Sequence, residues 1–196
     1  MENALALMKS RRSVRSYEPT PLSRETVMQL LEAAIYAPSG HNRQSWLFTA
    51  VINQKILGEL NQIIRDGFSA MQPGPEDPVE LHDAKKKAER LGEAYSFSYK
   101  APCLIIASNT AGYHNGMADC ACAMENMLLT ACDLGLGGCW VNQLHWQDRN
   151  PVLRAYLLEQ LHVPMEHTIC GSAVFGIPSI VPKPSTRKEG TWQIID

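Results

Sequence analysis

The spacing of apolar residues along the chain predicts a protein with more helices than strands. After Ser23, apolar residues recur with helical spacing, which predicts a helix over residues 24–36 with Ser23 as its N-cap. Residues 118–134 are apolar on nearly every side, which is typical of a helix at the centre of a core. Further helices are predicted over residues 3–10, 54–66 and 79–95.

Continuous apolar runs predict the strands. Residues 103–108 form such a run between Pro102 and Asn109, which indicates a buried central strand. Strands are also predicted over residues 46–52, 168–175 and, at the C-terminus, 191–195. Because the elements do not alternate regularly as β-α-β units, the pattern predicts an α+β fold rather than a doubly wound parallel sheet.

The length and the charge balance narrow the possible function classes. The 196 residues favour a single domain, and 18 basic against 20 acidic residues give a net charge of −2. Such a charge balance gives no overall positive electrostatic potential that would attract nucleic acid or an anionic membrane. No apolar run reaches the roughly 18 residues of a membrane helix, and the N-terminus lacks the charge order of a secretory signal. We therefore expect a cytoplasmic protein that binds neither nucleic acid nor membrane.

The cysteines and histidines do not suggest a metal site or a disulfide framework. Most of the six cysteines lie in apolar strings, where a free thiol behaves as a small buried hydrophobe, so we expect all six to be reduced. Cys120 and Cys122 are two residues apart on a predicted helix and point to different faces. The histidines have no carboxylate or cysteine at ligand spacing. We expect no metal.

Two basic clusters lie near the two ends of the chain. The first follows the first predicted helix and contains Arg11, Arg12, Ser13 and Arg15. The second lies in the proline-rich tail and contains Lys183, Arg187 and Lys188. Guanidinium groups match phosphate oxygens bidentately, so both clusters could meet on one dianionic phosphate. A solvated basic patch is the alternative explanation of the first cluster.

A polar turn between the second helix and the first predicted strand is a candidate binding segment. It contains Pro38, Ser39, Gly40, Asn42 and Gln44. Its small residues let the backbone approach a ligand closely, and its amides can both donate and accept, as a uracil-like ring edge requires. An ordinary helix–strand turn would have the same composition.

A glycine-rich segment follows the predicted core helix. Three glycines within four residues precede Trp140, Val141, Asn142 and Gln143. Their spacing fits neither the dinucleotide fingerprint nor the P-loop, both of which lie between a strand and a helix. The segment could present backbone N–H groups to a flat ligand, or the glycines could simply end the helix.

In their order and spacing these segments resemble the FMN-dependent nitroreductase family. The resemblance rests on RRSVRSY, APSGHNRQSW, ENMLLTACDLGLGGCWV and the basic tail, and it extends over nearly the whole chain. It implies an α+β sandwich in which helices flank a mostly antiparallel sheet. It also implies an obligate homodimer with FMN in clefts at the subunit interface.

The resemblance implies a role for each segment. The arginine segment at 11–15 would bind the FMN phosphate, the ribityl chain and the pyrimidine side of the flavin. The turn at 38–44 would reach the flavin from the partner subunit, and residues 140–143 would contact flavin N5 and O4 through their backbone. Arg187, with Lys183 or Lys188, would form a second phosphate clamp, and Asn61 would lie at the flavin edge.

The resemblance further implies a ping-pong oxidoreductase in which NAD(P)H reduces flavin N5 and a small-molecule acceptor, such as a nitroaromatic compound or a quinone, then takes the electrons. A guanidinium such as Arg15 would stabilise negative charge at flavin N1, and no catalytic acid or base is needed from the protein. Residues 67–96 would form a variable loop and helix, a flap over the substrate pocket. Other flavin chemistry (ene reduction, dehalogenation or flavin breakdown) and a non-catalytic flavin-binding protein are the alternatives.

Overall fold

A four-stranded antiparallel sheet lies at the centre of the computed structural model, which describes residues 4–183 and 185–195. Within these residues the helices are α1 Ala4–Ser10, α2 Arg24–Ile35, α3 Gln54–Ala70, α4 Val79–Leu91, α5 Gly116–Asp133, α6 Gln143–Trp146 and α7 Pro151–Leu161. The strands are β1 Trp46–Val51, β2 Cys103–Thr110, β3 Gly137–Val141 and β4 His167–Gly176. The predicted α+β class, with helices flanking an antiparallel sheet, is confirmed.

The strand order β1-β2-β4-β3 places β2 and β4 in the middle and β1 and β3 at opposite edges. All three neighbouring pairs are antiparallel. Trp46 at the start of β1 pairs with Asn109, and Val141 at the end of β3 pairs with Ser172. The central strand β2 is buried over nearly its whole length, as its continuous apolar run predicts.

Helices cover both faces of the sheet, so there are two hydrophobic cores. Alternate residues of β2 point to opposite faces. Ile105 joins a core with Met124 of α5 and residues of α2, and Ile106 joins a core with Ile64 of α3 and residues of α7. Because α5 packs against α2 as well as against strands of the sheet, it needs apolar side chains nearly all round.

The structure also accounts for where the predicted helices begin and end. The Ser23 hydroxyl accepts a hydrogen bond from the Thr26 backbone N–H, which confirms it as the N-cap of α2. Helix α3 continues past the predicted end at residue 66 because Phe68 extends its buried stripe. Helix α4 ends at Leu91, before the predicted residue 95, because Gly92 adopts a positive φ of 51°.

The glycine-rich segment is partly a strand, which the sequence analysis did not predict. Gly135 ends α5 with a φ of 73°, as expected of a helix terminator, but Gly137 and Gly138 begin β3. Helices α6 and α7 were not predicted either. Asn150 caps α7 by accepting bonds from two backbone N–H groups, and Pro151 is the first helical residue.

The predicted C-terminal strand is wrong. The described residues 185–195 contain no strand, and the large side chains Trp192, Ile194 and Ile195 are 76–84% exposed. A strand needs a partner edge, and no described strand pairs with this segment. All six cysteines are free. Within the described chain, no helix is both long enough and apolar enough to cross a membrane.

Candidate functional site

A cavity of about 320 Å³ opens where the end of β3, the loop before β2 and helix α4 meet. Its lining combines aromatic rings with charged and amide side chains, which suits a flat, partly polar ligand. The lining residues used below are Arg15, Lys87, Tyr95, Tyr99, Trp140 and Gln143.

The arginine segment reaches this cavity because it runs beside the edge strand β3. Ser13 forms a parallel bridge with Gly138, and the Val14 N–H donates to the Gly138 carbonyl at 3.0 Å. Val14 is buried against Gly137, and the next residue, Arg15, lines the cavity. Its guanidinium carbon lies 6.0 Å from the centroid of the Tyr99 ring, within reach of a cation–π interaction.

Arg11 and Arg12 line a second cavity of about 180 Å³ rather than the first. Arg11 Nε lies 3.5 Å from a carboxylate oxygen of Glu125. Arg12 donates to the carbonyl oxygens of Lys9 and Arg11 at 2.6 Å each, and its Nε is buried without a hydrogen-bond partner. The arginines of this segment therefore line two different cavities.

The start of the C-terminal tail lies beside this segment. The Ser179 N–H donates to the Ser16 carbonyl at 3.1 Å, and the two serine hydroxyls are 2.6 Å apart. The tail cations lie further along, at Lys183, Arg187 and Lys188, and all three are exposed. Arg187 donates to the Ser185 hydroxyl at 3.0 Å. The structure thus brings the start of the tail to the site, while its cations face solvent.

Residues 140–143 form one wall of the larger cavity. The Trp140 indole N–H donates to the Asn142 side-chain oxygen, and the ring lies against Gly171, where a Cβ would be 2.4 Å from it. Strand β3 is an edge strand, and beyond the bridge to Ser13 no described strand covers its outer side.

Two buried polar atoms in the cavity have no hydrogen-bond partner. Tyr95 is 3% exposed, yet its hydroxyl is unpaired, and the side-chain oxygen of Gln143 is likewise buried and unpaired. Burial raises the pKa of Tyr95 to about 12, against the opposing effect of the nearby Gln143 amide. The sequence analysis missed Tyr95 and Tyr99; the only signal was the alternation of aromatic and small polar residues just before β2.

Asn61 supports the cavity from behind and does not line it. Its Nδ2 donates to the Tyr95 carbonyl at 2.7 Å, and its Oδ1 accepts from the Phe97 N–H at 2.9 Å. Both ends of the amide therefore hold the loop that carries Tyr95.

The turn at 38–44 is held in a defined shape by side chains. The Gly40 N–H donates to Asp119 Oδ1 at 3.1 Å, and the Ser39 hydroxyl accepts from the Gln44 N–H at 3.1 Å. The Asn42 side chain accepts from Gln44 Nε2 at 2.8 Å. Three residues that are not glycine have φ of 48–56°, a strained conformation that the surrounding bonds must maintain: His41, Asn42 and Gln44.

This turn and the cavity lie at opposite edges of the sheet. The turn precedes β1 and the cavity adjoins β3, so β2 and β4 separate them. Three strand spacings correspond to about 14 Å. Within one chain the structure therefore unites Arg15 with residues 140–143, but it does not bring Pro38, Ser39, Gly40, Asn42 or Gln44 to them.

Residues 8–177 match the model of the nitroreductase family. This chain belongs to the nitroreductase family. A crystal structure from Bacteroides fragilis NCTC 9343, described as a nitroreductase with bound FMN, is 37% identical to it. The two align over 100% of both chains with a TM-score of 0.87.

Curated relatives of this chain differ in what their names report. A protein of Archaeoglobus fulgidus, provisionally named an NADH dehydrogenase/NAD(P)H nitroreductase, is 28% identical over 91% of this chain and 87% of its own length. The 5,6-dimethylbenzimidazole synthase of Rhodospirillum rubrum is 30% identical over 96% of this chain and 88% of its own length. In the part of this chain that the structure describes, no group of three or more potential metal ligands comes together.

Proposed function

We propose that this nitroreductase-family protein binds FMN and uses it to pass two electrons from NAD(P)H to a small acceptor, such as a nitroarene or a quinone. The observation that carries the proposal is the cavity at the edge of β3. It combines the Arg15 guanidinium, two unpaired buried oxygens and uncovered strand backbone in a chain 37% identical to a nitroreductase with bound FMN.

The residues of the site fit FMN in charge and in shape. A phosphate needs cationic donors, and the smaller cavity offers Arg11 and Arg12, whose buried Nε lacks a partner. A flat heteroaromatic ring needs an apolar wall with a few polar groups, and the larger cavity offers Trp140, Tyr95 and Gln143. The segment at 11–15 contributes residues to both cavities, and we propose that the ligand extends along it.

Each part of the site then has a definite task. The arginines at 11 and 12, joined by a tail cation, bind the phosphate. Arg15 stabilises negative charge on the pyrimidine side, and the backbone of residues 140–143 fixes the ring. When bound, FMN supplies the hydride and electron transfer. We assign no catalytic acid or base to the protein.

We also propose that the functional unit is a homodimer. The turn at 38–44 is preformed, exposed and strained, although it lies at the far edge of the sheet from the cavity of its own chain. A two-fold axis places that edge of one copy beside β3 of the other. Each site would then take its arginines from one chain and its turn from the partner.

Helix α4 is the part of the site that we expect to select the acceptor. It contributes Glu80, Asp83, Ala84 and Lys87 to the cavity, and it buries only two side chains, Leu81 and Ala88. Such light anchoring suits a flap that adjusts to its ligand. The sequence prediction of a flap within residues 67–96 is retained here as a proposal.

A spectroscopic experiment tests this function. The purified protein, reconstituted with FMN, should lose its flavin absorbance on addition of NADPH or NADH under argon and regain it with a nitroarene. Arg11→Ala should bind FMN at least tenfold more weakly, whereas Arg24→Ala, which removes a guanidinium outside both cavities, should bind it normally. Failure of the unmodified protein to bind FMN would refute the proposal, and unchanged FMN affinity in Arg11→Ala would refute the phosphate assignment.

A second candidate is flavin breakdown, which the sequence analysis left open. It is favoured by the 30% identity, over 96% of the chain, to a 5,6-dimethylbenzimidazole synthase. One experiment distinguishes the two candidate functions. The reduced, FMN-loaded protein is exposed to air, and its products are then separated by chromatography. Formation of 5,6-dimethylbenzimidazole would support the second candidate, and recovery of intact FMN would support the reductase.

A further inference from the structure

The Tyr95 hydroxyl and the Gln143 side-chain oxygen are the cavity atoms for which the fold itself provides no partner. Both atoms are buried, and neither has a hydrogen-bond partner of good geometry within the described chain, although the Gln143 amide lies near the Tyr95 oxygen. A buried polar group without a partner costs about 1–3 kcal/mol, so its presence needs an explanation. A ligand in the cavity that they both line would supply one.

These two atoms offer complementary hydrogen-bonding capacity. The hydroxyl of Tyr95 can donate one hydrogen bond, and the carbonyl oxygen of Gln143 can only accept. The Gln143 amide donates toward the Tyr95 oxygen and so lowers the pKa of that hydroxyl, against the larger effect of burial. The hydroxyl hydrogen of Tyr95 and the carbonyl oxygen of Gln143 are the groups that remain for a ligand. A ligand that satisfies both atoms at once must therefore present an acceptor directly beside a donor.

The Tyr95 hydroxyl is held in position by the structure behind it. The Asn61 amide bonds to the backbone of Tyr95 and of Phe97. The Tyr95 ring packs edge-on against Phe68, with ring centroids 6.2 Å apart and an interplanar angle of 81°. A donor fixed in this way loses little conformational entropy when a ligand binds.

We propose that Tyr95 and Gln143 together recognise an amide edge, a carbonyl oxygen next to an N–H group, on the ligand that fills the cavity. Tyr95 donates to the carbonyl oxygen, and Gln143 accepts from the N–H. The inference rests on the proposed function, because both molecules expected in the cavity carry such an edge. NAD(P)H has it in the nicotinamide carboxamide, and FMN has it in the pyrimidine part of the flavin ring.

The test uses variants that remove one polar atom each: Tyr95→Phe and Gln143→Met. Tyr36→Phe is the control, because it makes the same change on a side chain that is 78% exposed. Fluorescence titration of the FMN-free protein gives the Kd for FMN. Anaerobic stopped-flow reduction of the loaded protein gives the Kd for NAD(P)H separately from the rate of reduction.

We expect each cavity variant to raise one of the two Kd values about tenfold. A rise in the Kd for FMN identifies the flavin as the source of the amide edge. A rise in the Kd for NAD(P)H alone identifies the nicotinamide. An analogue without the N–H (N3-methyl-FMN or reduced 3-acetylpyridine adenine dinucleotide) should then bind the unmodified protein as weakly as the natural ligand binds Gln143→Met.

A ligand-free measurement separates recognition from a structural role. Since the Tyr95 hydroxyl has no partner in the fold, Tyr95→Phe should not lower the Tm of the FMN-free protein at neutral pH. Both Kd values within twofold of those of Tyr36→Phe, or a Tm lowered by several degrees, would overturn the inference. Neither result would touch the proposed function, which fails only if the unmodified protein does not bind FMN or does not oxidise NAD(P)H.

Discussion

Two adjacent glycines allow close packing around β3, and one of them lets the arginine segment lie against the edge of the sheet. A Cβ at Gly137 would be 2.7 Å from the Cβ of Val14, and a Cβ at Gly138 would be 2.7 Å from a methyl carbon of Leu128. Real Cβ atoms do not approach so closely, so the neighbours would have to move. Gly137 thus sets the distance between β3 and the residues that lead to Arg15, and Gly138 sets the distance between β3 and α5.

Gly137→Ala should destabilise the protein by about 1–3 kcal/mol, because the added methyl group meets Val14 close to its backbone. It should also weaken FMN binding by displacing Arg15. Gly58→Ala is the matched control: it adds the same methyl group in an exposed part of α3, with no atom within 4 Å. That variant should gain up to about 1 kcal/mol from helix propensity. Equal stability of the two variants in urea unfolding would contradict the packing argument.

The buried hydroxyl of Tyr95 should make stability depend on pH in the alkaline range. Its folded-state pKa is raised to about 12, compared with 10.0 in the unfolded chain. The contribution of this hydroxyl to the free energy of unfolding is therefore fully present below pH 10. It is lost as the pH rises toward 12, because only the unfolded state releases the proton readily. Between pH 10 and 12, Tyr95→Phe should lose about 2 kcal/mol less stability than the unmodified protein. If urea unfolding showed the same loss of stability for Tyr95→Phe and for the unmodified protein, the raised pKa of Tyr95 would be contradicted.

At the scale of elements, long apolar patterns predicted the structure and short ones did not. The patterns of α2, α5 and β2 predicted both their type and their place, because each buries a full face or all of its sides. Strand β3 is five residues long and begins with two glycines, so no apolar pattern marks it. The 191–195 segment has strand-like residues, but no described strand offers it an edge.

The same distinction applies to the candidate site. The arginine segment and residues 140–143 were found because guanidinium groups and glycines carry a local chemical signal. Tyr95 was missed because its significance depends on burial beside Gln143, 48 positions later in the chain, and no local pattern reports that. Asn61 was expected at the flavin edge, but its amide bonds to the loop at 95–97, a contact that only the fold creates.

Helix α4 should be less stable than the rest of the fold. It buries two side chains, whereas α5 buries eight residues. Amide hydrogen exchange should therefore be at least tenfold faster in α4 than in α5, and α4 should gain protection when FMN and a substrate analogue bind. Peptide-level exchange followed by mass spectrometry measures both. Equal protection of the two helices without ligand would refute the proposed flap.

At the scale of the whole molecule, the two polar segments of the proposed site lie apart within one chain. The cavity beside β3 has cations and an aromatic wall, and the turn before β1, at the opposite edge of the sheet, has a preformed polar backbone. The exposed apolar residues of the tail, among them Trp192, also suit an interface better than solvent. Both features are explained if two copies combine their half-sites.

Heterodimer complementation tests this central claim most directly. Arg11→Ala/Arg15→Ala disables one half-site, and Ser39→Ala/Asn42→Ala disables the other, so each homodimer should bind FMN at least tenfold more weakly than the unmodified protein. A heterodimer of the two, isolated with two different affinity tags, contains one site with both halves intact. We predict that it binds one FMN per dimer with the unmodified affinity. A heterodimer that binds no better than the homodimers, or a protein that remains monomeric with full FMN affinity, would contradict the account.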